Sequence, residues 1–359
     1  MHIAYYLPSV SGGGAERVMI TLANDTAARG HQVDLVLINN EGQYFNEISK
    51  DVKIVVLRKA LGWHVPRVLK GFLSPLFFLM VLPPLLSYIK REKPDVILSS
   101  LIQANASIGL AKRLGLKTPV VIRESTSLEE KLKREGKLIG RLIKWSYPYA
   151  DELVTVSLAN ARELSIFLKR HVRTIYNPVY TGKPEELEPQ EDFVLGVGRL
   201  TEQKGFDTLI QACKIANKKL IILGEGPNEA KLKALGGNVE FKGFVANPFS
   251  WMKAAKVFVL SSRWEGLPNV LIQAMAMGTP VVSTDCPHGP SEILKRGEFG
   301  SLIPVDNVKT MALEINNAWY RERNSEVLCQ RASQFSIKSG VDQYLELLQG
   351  VSTTVSKEY

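Results

Sequence analysis

Cysteine and histidine are scarce in this chain of 359 residues. Its three cysteines, Cys213, Cys286 and Cys329, lie far apart, and its five histidines are scattered. Disulfide frameworks and structural zinc sites need ligands at close spacing, so the sequence predicts neither. There is also no Asp-x-Asp pair. We therefore expect reduced thiols, as in a cytosolic protein, no bound metal and no cofactor.

A secretory signal is not expected either. The first residues, MHIAYYLPSVSGGG, do not place a basic segment before an apolar core. The composition is that of a globular protein, with 45% hydrophobic and 23% charged residues. The length suffices for two domains, each with its own core.

Positive charge is concentrated in the first half of the chain. Residues 1–180 hold 25 Lys and Arg against 15 Asp and Glu, whereas the remainder holds 20 against 21. The first half is therefore predicted to face something anionic. Because no nucleic-acid-binding motif is visible, we favour a membrane surface or a phosphorylated lipid over a nucleic acid.

Strand and helix patterns alternate along most of the chain, which predicts two doubly wound α/β domains. The first covers residues 1–180 and the second covers 193–335. Between them, the acidic, proline-bearing segment 181–192 is typical of a linker. A last helix is predicted over 336–349, and the polar residues 350–359 are predicted to be a disordered tail.

Residues 71–89, GFLSPLFFLMVLPPLLSYI, form an apolar run without a charge. Its length fits a transmembrane helix, but Pro75, Pro83 and Pro84 interrupt it, and it lies between two predicted strands. A buried core helix is a second possibility. We favour a proline-kinked helix that lies in the membrane interface or holds a lipid chain.

Two segments, 58–93 and 129–144, are accordingly predicted to form a membrane-binding surface. Residues 53–144 hold 18 Lys and Arg against 6 Asp and Glu. Each basic group near an anionic surface contributes about 1 kcal/mol. For 129–144 the alternative is an ordinary solvated helix face.

One stretch of the second half, residues 261–292, combines a polar turn, a helix and a buried strand. The apolar run 257–260 before it predicts a strand whose end leads into the turn. Ligands of open α/β sheets bind at such carboxyl ends, and a helix start favours an anion. Glu265 lies in this turn, where it either contacts a ligand or caps its own turn.

A second turn, Ser11 to Gly14, follows the first predicted strand. Its glycines allow backbone amides to approach a phosphate or a sugar, although a tight turn without a ligand fits equally well. It is not the dinucleotide fingerprint, which needs G-x-G-x-x-G.

Three motifs resemble those of the retaining glycosyltransferases of family 4, the glycosyl transferases group 1. They are Gly13-Gly14-Ala15-Glu16-Arg17, the pair Gly198-Arg199-Leu200 with Lys204-Gly205, and Glu265-Gly266-Leu267-Pro268-Asn269. The family has a glutamate where this chain has Gln273. The resemblance implies a GT-B fold, in which two Rossmann-like domains face each other across a cleft, with the last helix crossing back to the first domain.

The resemblance also assigns roles to residues. It implies that Arg199 and Lys204 grip the diphosphate of a nucleotide-sugar donor and that Glu265 orients the donor sugar. Without a metal, the charge on a leaving diphosphate must be met by fixed cations and amides. The remaining donor-binding residues that it implies are Gly13, Gly14, Glu225, Gly266, Leu267, Pro268, Asn269 and Gln273.

Acceptor binding is assigned to the end of the predicted strand 119–123. Relatives that extend lipid-linked sugars often have a histidine there, where this chain has Ser125. The acceptor-binding candidates are therefore Glu124 and Ser125. The alternative is a solvated strand end.

The resemblance implies transfer of a hexose or N-acetylhexosamine from a nucleotide-diphosphate sugar, such as a UDP-sugar. The acceptor would be a glycolipid, a polyprenyl-diphosphate-linked glycan or lipopolysaccharide, reached by an enzyme peripheral to the cytoplasmic face of the membrane. The alternatives are a sugar-nucleotide epimerase or phosphorylase of the same fold, and a non-catalytic sugar-nucleotide-binding protein.

Overall fold

The computed structural model describes residues 1–11, 13–57, 75–179, 181–187 and 191–357. The chain forms two compact units, one comprising Met1–Pro178 with Ile337–Tyr359 and the other Val179–Ser336. The second unit is therefore an insertion between two segments of the first.

The first unit is built on a parallel sheet of seven strands in the order β3-β2-β1-β4-β5-β6-β7. Most of its strands are apolar and buried on both faces, as parallel strands between helical layers are. The strands are β1 (His2–Leu7), β2 (Gln32–Leu37), β3 (Val52–Val56), β4 (Val96–Ser100), β5 (Val120–Glu124), β6 (Glu152–Thr155) and β7 (Arg173–Thr174).

Helices cover both faces of this sheet. Tyr5 of β1 packs in one layer and Tyr6 in the other, because successive side chains of a strand point to opposite faces. The helices between the strands are α1 (Gly14–Ala28), α2 (Pro75–Glu92), α3 (Ile102–Arg113), α4 (Leu128–Glu135), α5 (Lys137–Ser146) and α6 (Leu158–Leu168).

Helix α2 contains most of the apolar run that was expected at a membrane interface. Instead, Val81, Leu85, Tyr88 and Ile89 are buried in the core of the first unit. The Tyr88 hydroxyl also donates a hydrogen bond to Asp34 over 2.7 Å. This part of the run is thus a core helix, which was the second possibility.

The rest of that prediction lies outside the described residues, since 58–74 and the basic groups within it are not described. Among the helices of the described ranges, none has both the length and the hydropathy to cross a membrane.

The second unit contains a parallel sheet of six strands in the order β10-β9-β8-β11-β12-β13. Strand order reverses between β8 and β11, which is where doubly wound sheets bind ligands. The strands are β8 (Val194–Val197), β9 (Leu220–Leu223), β10 (Val239–Phe241), β11 (Val257–Leu260), β12 (Val281–Thr284) and β13 (Ser301–Ile303).

Seven helices are described in the second unit. Two of them, α7 and α12, lie in the hydrophobic core, where they pack over the buried faces of β8, β9 and β11. The helices are α7 (Phe206–Ala216), α8 (Glu229–Lys233), α9 (Phe249–Ala254), α10 (Asn269–Ala276), α11 (Pro290–Ile293), α12 (Val308–Tyr320) and α13 (Ser325–Ser333).

The last helix, α14 (Ile337–Lys357), is part of the first unit. Tyr344, Leu348 and Val351 are buried against α1 and the sheet. The prediction that the helix ends at 349 and a disordered tail follows is wrong for residues 350–357, which continue the helix. The apolar stripe extends through Val351 and holds this last part in place.

The predicted linker is counted with the second unit. Within its described residues, the amide of Glu185 donates to the Ser250 hydroxyl over 2.8 Å. The first unit ends at Pro178, two residues before the predicted boundary.

Candidate functional site

The turn between β11 and α10 lies at the carboxyl edge of the second sheet. Because β8 and β11 are neighbours and parallel, the segments that follow them meet at this edge. The Ser261 hydroxyl donates to the carbonyl oxygen of Lys204 over 2.7 Å, which joins the two segments. Gly205 is required at this junction, because its φ is +59° and a Cβ there would lie 2.1 Å from the Ser261 carbonyl oxygen.

Lys204 and Glu265 form an ion pair at this edge. The Lys204 ammonium lies 2.6 Å from Oε1 of Glu265, and the Ser262 hydroxyl donates to the same oxygen over 2.6 Å. The Glu265 side chain is 8% exposed. Its other oxygen, Oε2, accepts no hydrogen bond from any residue that the structure describes, and is therefore available to a ligand hydroxyl.

Ser262 was missed by the sequence analysis. It lies three residues before Glu265, which was a usable signal, because a hydroxyl at that spacing can reach back to a turn carboxylate. Nearby, burial raises the pKa of the Cys286 thiol to about 12, and the Glu265 carboxylate adds to the shift. Cys286 is thus a neutral thiol beside the ion pair.

The Gly266–Asn269 turn is held from the following loop. Gly289 has a φ of +98°, and a Cβ there would lie 2.6 Å from Cδ of Pro268 and 3.1 Å from the Gly266 carbonyl oxygen. Leu267 is buried. Pro268 is the N-cap of α10, and no side chain caps this helix start. The turn therefore presents an uncapped helix start beside the ion pair.

Arg199 and Glu225 follow the neighbouring strands β8 and β9. Arg199 is exposed, and its side chain makes no hydrogen bond or ion pair with the residues that the structure describes. Glu225 accepts from the Leu200 amide through its carbonyl oxygen over 2.9 Å and from the Phe244 amide through its carboxylate over 3.2 Å. Arg199 thus keeps its guanidinium available at the strand end, whereas Glu225 shapes the loop.

Gln273 lies on α10, one turn after Asn269, and its side chain is half-buried. Positions four apart share one face of a helix.

The second unit therefore contains Arg199, Lys204, Glu225, the Gly266–Asn269 turn and Gln273, and brings Lys204 and Glu265 into contact. The remaining candidates belong to the first unit.

Gly13 and Gly14 form the start of α1, with Gly13 as the N-cap. A Cβ on Gly13 would lie 2.3 Å from Oε2 of Glu16, whereas nothing lies within 4 Å of a Cβ on Gly14. The side chain of Glu16 thus occupies the space above Gly13, and the open approach is at Gly14.

Glu124 does not have a carboxylate free for an acceptor. Its Oε1 accepts from the amides of Ser125 and Thr126 over 3.0 and 3.2 Å. Its Oε2 is 2.7 Å from the Lys131 ammonium and accepts from the Tyr147 hydroxyl over 2.9 Å. Because Glu124 is 4% exposed, the solvated strand end is wrong. Glu124 instead shapes the loop on which the half-buried Ser125 lies.

Among the described residues, no three His, Cys, Asp or Glu side chains gather in a way that could hold a metal ion. Lys204 and Glu265 form the ion pair of the site. Metal independence remains a prediction.

Two family models match the chain. Residues 12–183 match the Glycosyltransferase Family 4 model, and residues 191–319 match Glycosyl transferases group 1.

Curated relatives cover nearly the whole chain. One, from Campylobacter jejuni, is named GalNAc-alpha-(1->4)-GalNAc-alpha-(1->3)-diNAcBac-PP-undecaprenol alpha-1,4-N-acetyl-D-galactosaminyltransferase. It is 28% identical over 98% of this chain and 99% of its own length. A second from the same organism is N-acetylgalactosamine-N,N'-diacetylbacillosaminyl-diphospho-undecaprenol 4-alpha-N-acetylgalactosaminyltransferase. It is 30% identical over 86% of this chain and 87% of its own.

Among solved structures, the sucrose-phosphate synthase of Thermosynechococcus elongatus superposes with a TM-score of 0.82. It is 19% identical and covers 98% of this chain and 99% of its own. This likeness supports the fold, two parallel-sheet α/β domains of the GT-B class. Together with the Lys204–Glu265 site and the family matches, it completes the assignment: this chain belongs to the family 4, group 1 glycosyltransferases.

Proposed function

We propose that the chain transfers a hexose or N-acetylhexosamine from a UDP-sugar to a polyprenyl-diphosphate-linked or lipopolysaccharide glycan. Transfer would retain the anomeric configuration, need no metal and take place at the cytoplasmic face of the membrane. The observation that carries the proposal is the Glu265–Lys204 pair at the strand-order reversal, with Oε2 of Glu265 available. The names of the Campylobacter relatives, which specify N-acetylgalactosamine and diphospho-undecaprenol, support the substrate class.

The chemistry fits the charges at the site. The bond between the anomeric carbon and the diphosphate oxygen breaks, and the acceptor oxygen forms the new bond, while its proton passes to the departing phosphate. Arg199, the Lys204 ammonium and the start of α10 are positive groups that favour the growing negative charge. Oε2 of Glu265 would accept from a donor-sugar hydroxyl and fix the sugar above the diphosphate.

The proposal is tested by incubating the purified chain with UDP-, GDP- and ADP-sugars, with and without a polyprenyl-diphosphate-linked glycan, in EDTA. We expect acceptor-dependent transfer from a UDP-sugar, and an α-linked product from an α-linked donor in NMR spectra. Epimerisation or phosphorolysis without acceptor would support the enzyme alternative. Donor binding without any turnover would support a non-catalytic binding protein.

Gln273 stands where the family has a glutamate that accepts from ribose hydroxyls. An amide oxygen accepts without charge assistance, which costs about 1 kcal/mol. We expect Gln273→Glu to bind UDP about 5-fold more tightly in calorimetric titrations, because a gain of about 1 kcal/mol lowers the Kd by that factor. Gln330→Glu, on the exposed surface of α13, adds the same charge at a distance and should leave the Kd unchanged. An unchanged or weaker Kd for Gln273→Glu would remove Gln273 from the ribose site.

Helix α5 supports the membrane part of the proposal. Its inner side buries Ile139 and Ile143, whereas Leu138 is 62% exposed and Trp145 is 39% exposed. The outer side, called the α5 face, consists of Lys137, Leu138, Arg141, Lys144 and Trp145. The helix contains no acidic residue.

The α5 face combines the two features of an interfacial helix, apolar side chains and basic groups that attract anionic lipids. The Arg113 guanidinium lies 4.8 Å from the ring centre of Trp145 and 5.1 Å from that of Tyr149, which extends the face. The exposed residues of α5, rather than those of α2, are therefore what supports the proposed membrane contact.

Replacing Lys137, Arg141 and Lys144 together with serine should weaken binding to phosphatidylglycerol-containing vesicles about 100-fold, at about 1 kcal/mol per charge. Vesicle co-sedimentation measures the change. The matched control replaces Lys256, Lys295 and Lys309, three exposed lysines of the second unit, and should bind as the parent does. Equal binding by the α5 variant and the parent would contradict docking through this face.

A further inference from the structure

Arg123, at the carboxyl end of β5, is the largest fully buried side chain of the described residues, with 0% exposure. The guanidinium donates hydrogen bonds to three neutral oxygens, and no carboxylate of the described residues is among its partners. The neighbouring Glu124 carboxylate is bonded to Lys131, Tyr147 and two amides instead of to Arg123. The first unit thus contains a buried cation without a paired anion.

The partners of Arg123 come from three distant parts of the chain. Nη1 donates to the Ser100 hydroxyl over 3.1 Å at the end of β4. Nη2 donates to Oδ1 of Asn177 over 2.6 Å, and Nε donates to the Tyr344 hydroxyl over 3.1 Å. The bond to Ser100 fixes the guanidinium to the sheet. The guanidinium in turn connects Asn177 and Tyr344 to the sheet.

Asn177 lies next to the place where the chain leaves the first unit, and Tyr344 lies about two turns into α14, the helix with which the chain re-enters it. The chain leaves the first unit after Pro178 and re-enters it at Ile337. The two connections also touch within the first unit, since a Cβ on Gly340 would lie 2.9 Å from the Pro178 side chain. At their other ends, the Val179 amide donates to the Phe335 carbonyl over 2.9 Å.

A buried charge is a costly way to gain stability. Removing a charge from water costs several kcal/mol, and apolar residues of similar volume often stabilise a core better. Neutral acceptors offset only part of that cost. What a planar guanidinium supplies, and an apolar residue cannot, is three hydrogen bonds in fixed directions. At this position, the three hydrogen bonds reach Ser100 of the sheet, Asn177 beside the first connection, and Tyr344 in the helix that follows the second.

We propose that Arg123 is a positioning residue that anchors both connections to the first sheet and thereby fixes the hinge of this transferase. Hinges are the few residues at element ends that absorb a change between two domains. Through these bonds Asn177, at the first connection, and Tyr344, in the helix that follows the second, are held to one sheet. The consequence for turnover rests on the proposed function, whereas the anchoring does not.

Two variants test the anchoring, each in the full chain. Arg123→Met removes the guanidinium and keeps much of its length. Tyr344→Phe removes one partner hydroxyl only. The matched control is Tyr6→Phe, which removes a hydroxyl that is equally buried and bonded to Ser107 over 2.9 Å, away from both connections.

We expect faster hydrogen exchange at residues 176–179 and 337–344 in both variants, but not in Tyr6→Phe. In transfer assays kcat should fall about 10-fold, as for a perturbed conformational step. The donor KM should stay within about 2-fold, because Lys204 and Glu265 lie in the other unit.

Exchange and kcat in Tyr344→Phe that match those of Tyr6→Phe would overturn the proposal, as would a loss confined to Tm. If Arg123→Met does not fold, Tyr344→Phe decides alone. A parent protein without transferase activity would contradict the proposed function, and hydrogen exchange would still decide whether Arg123 anchors the connections.

Discussion

Lys204→Met is expected to lower kcat/KM for sugar transfer about 10²- to 10³-fold, the range seen when one preorganised charged or polar group is removed from a transition state. The variant loses a cation that faces the leaving diphosphate. It also leaves the Glu265 carboxylate, 8% exposed, without its ion-pair partner. Steady-state kinetics with saturating acceptor measures the change.

A double-mutant cycle separates these two effects. If Lys204 and Glu265 act as one unit, Glu265→Gln and the double variant should each lose about as much as Lys204→Met, since effects within such a unit are not additive. The control is Lys233→Met, which breaks an exposed ion pair with Glu229 and should leave kcat/KM unchanged. Retention of more than about one third of the activity by Lys204→Met would contradict its role in catalysis.

Gly289→Ala is expected to reduce transfer about 100-fold without unfolding the protein, because a misplacement of about 1 Å in a site can cost that much. The new methyl group would lie 2.6 Å from Cδ of Pro268, closer than any side-chain carbon tolerates. The Gly266–Asn269 turn must therefore shift, and with it the start of α10. The donor Kd and kcat are the quantities to measure.

Gly297→Ala is the matched control for Gly289→Ala. Both glycines have a φ of +98°, so both substitutions place a side chain on a backbone conformation that L residues rarely adopt. At Gly297, however, the nearest atom lies 3.7 Å from the added carbon, so nothing needs to move. Similar activity in the two variants would mean that backbone strain, rather than displacement of the turn, determines the effect.

The prediction of two doubly wound α/β domains is confirmed because it rests on local patterns. Short apolar strands that alternate with helices leave few other arrangements. The contact between Lys204 and Glu265 was not visible in the same way, since 61 residues separate them. The resemblance to the family assigned both residues to the donor site, which their spacing in the sequence could not do.

The errors have physical causes too. Glu124 was predicted to bind the acceptor, and its bonds to Lys131 and Tyr147, which follow 7 and 23 residues later, were not expected from any local pattern. The apolar run of α2 was expected at a membrane, but burial in a core and burial in lipid demand the same side chains. The tail at 350–357 was judged by its polarity, and the one buried Val351 was given too little weight.

The membership of α14 in the first unit has a consequence for synthesis on the ribosome. Residues 341, 344, 345, 347, 348 and 351 complete the hydrophobic layer that contains α1. That layer therefore stays uncovered until residues 337–357 have been made, whereas the second unit is continuous from 179 to 336. The first unit thus cannot complete its hydrophobic layer before the second unit has been made, and it exposes apolar surface during that time.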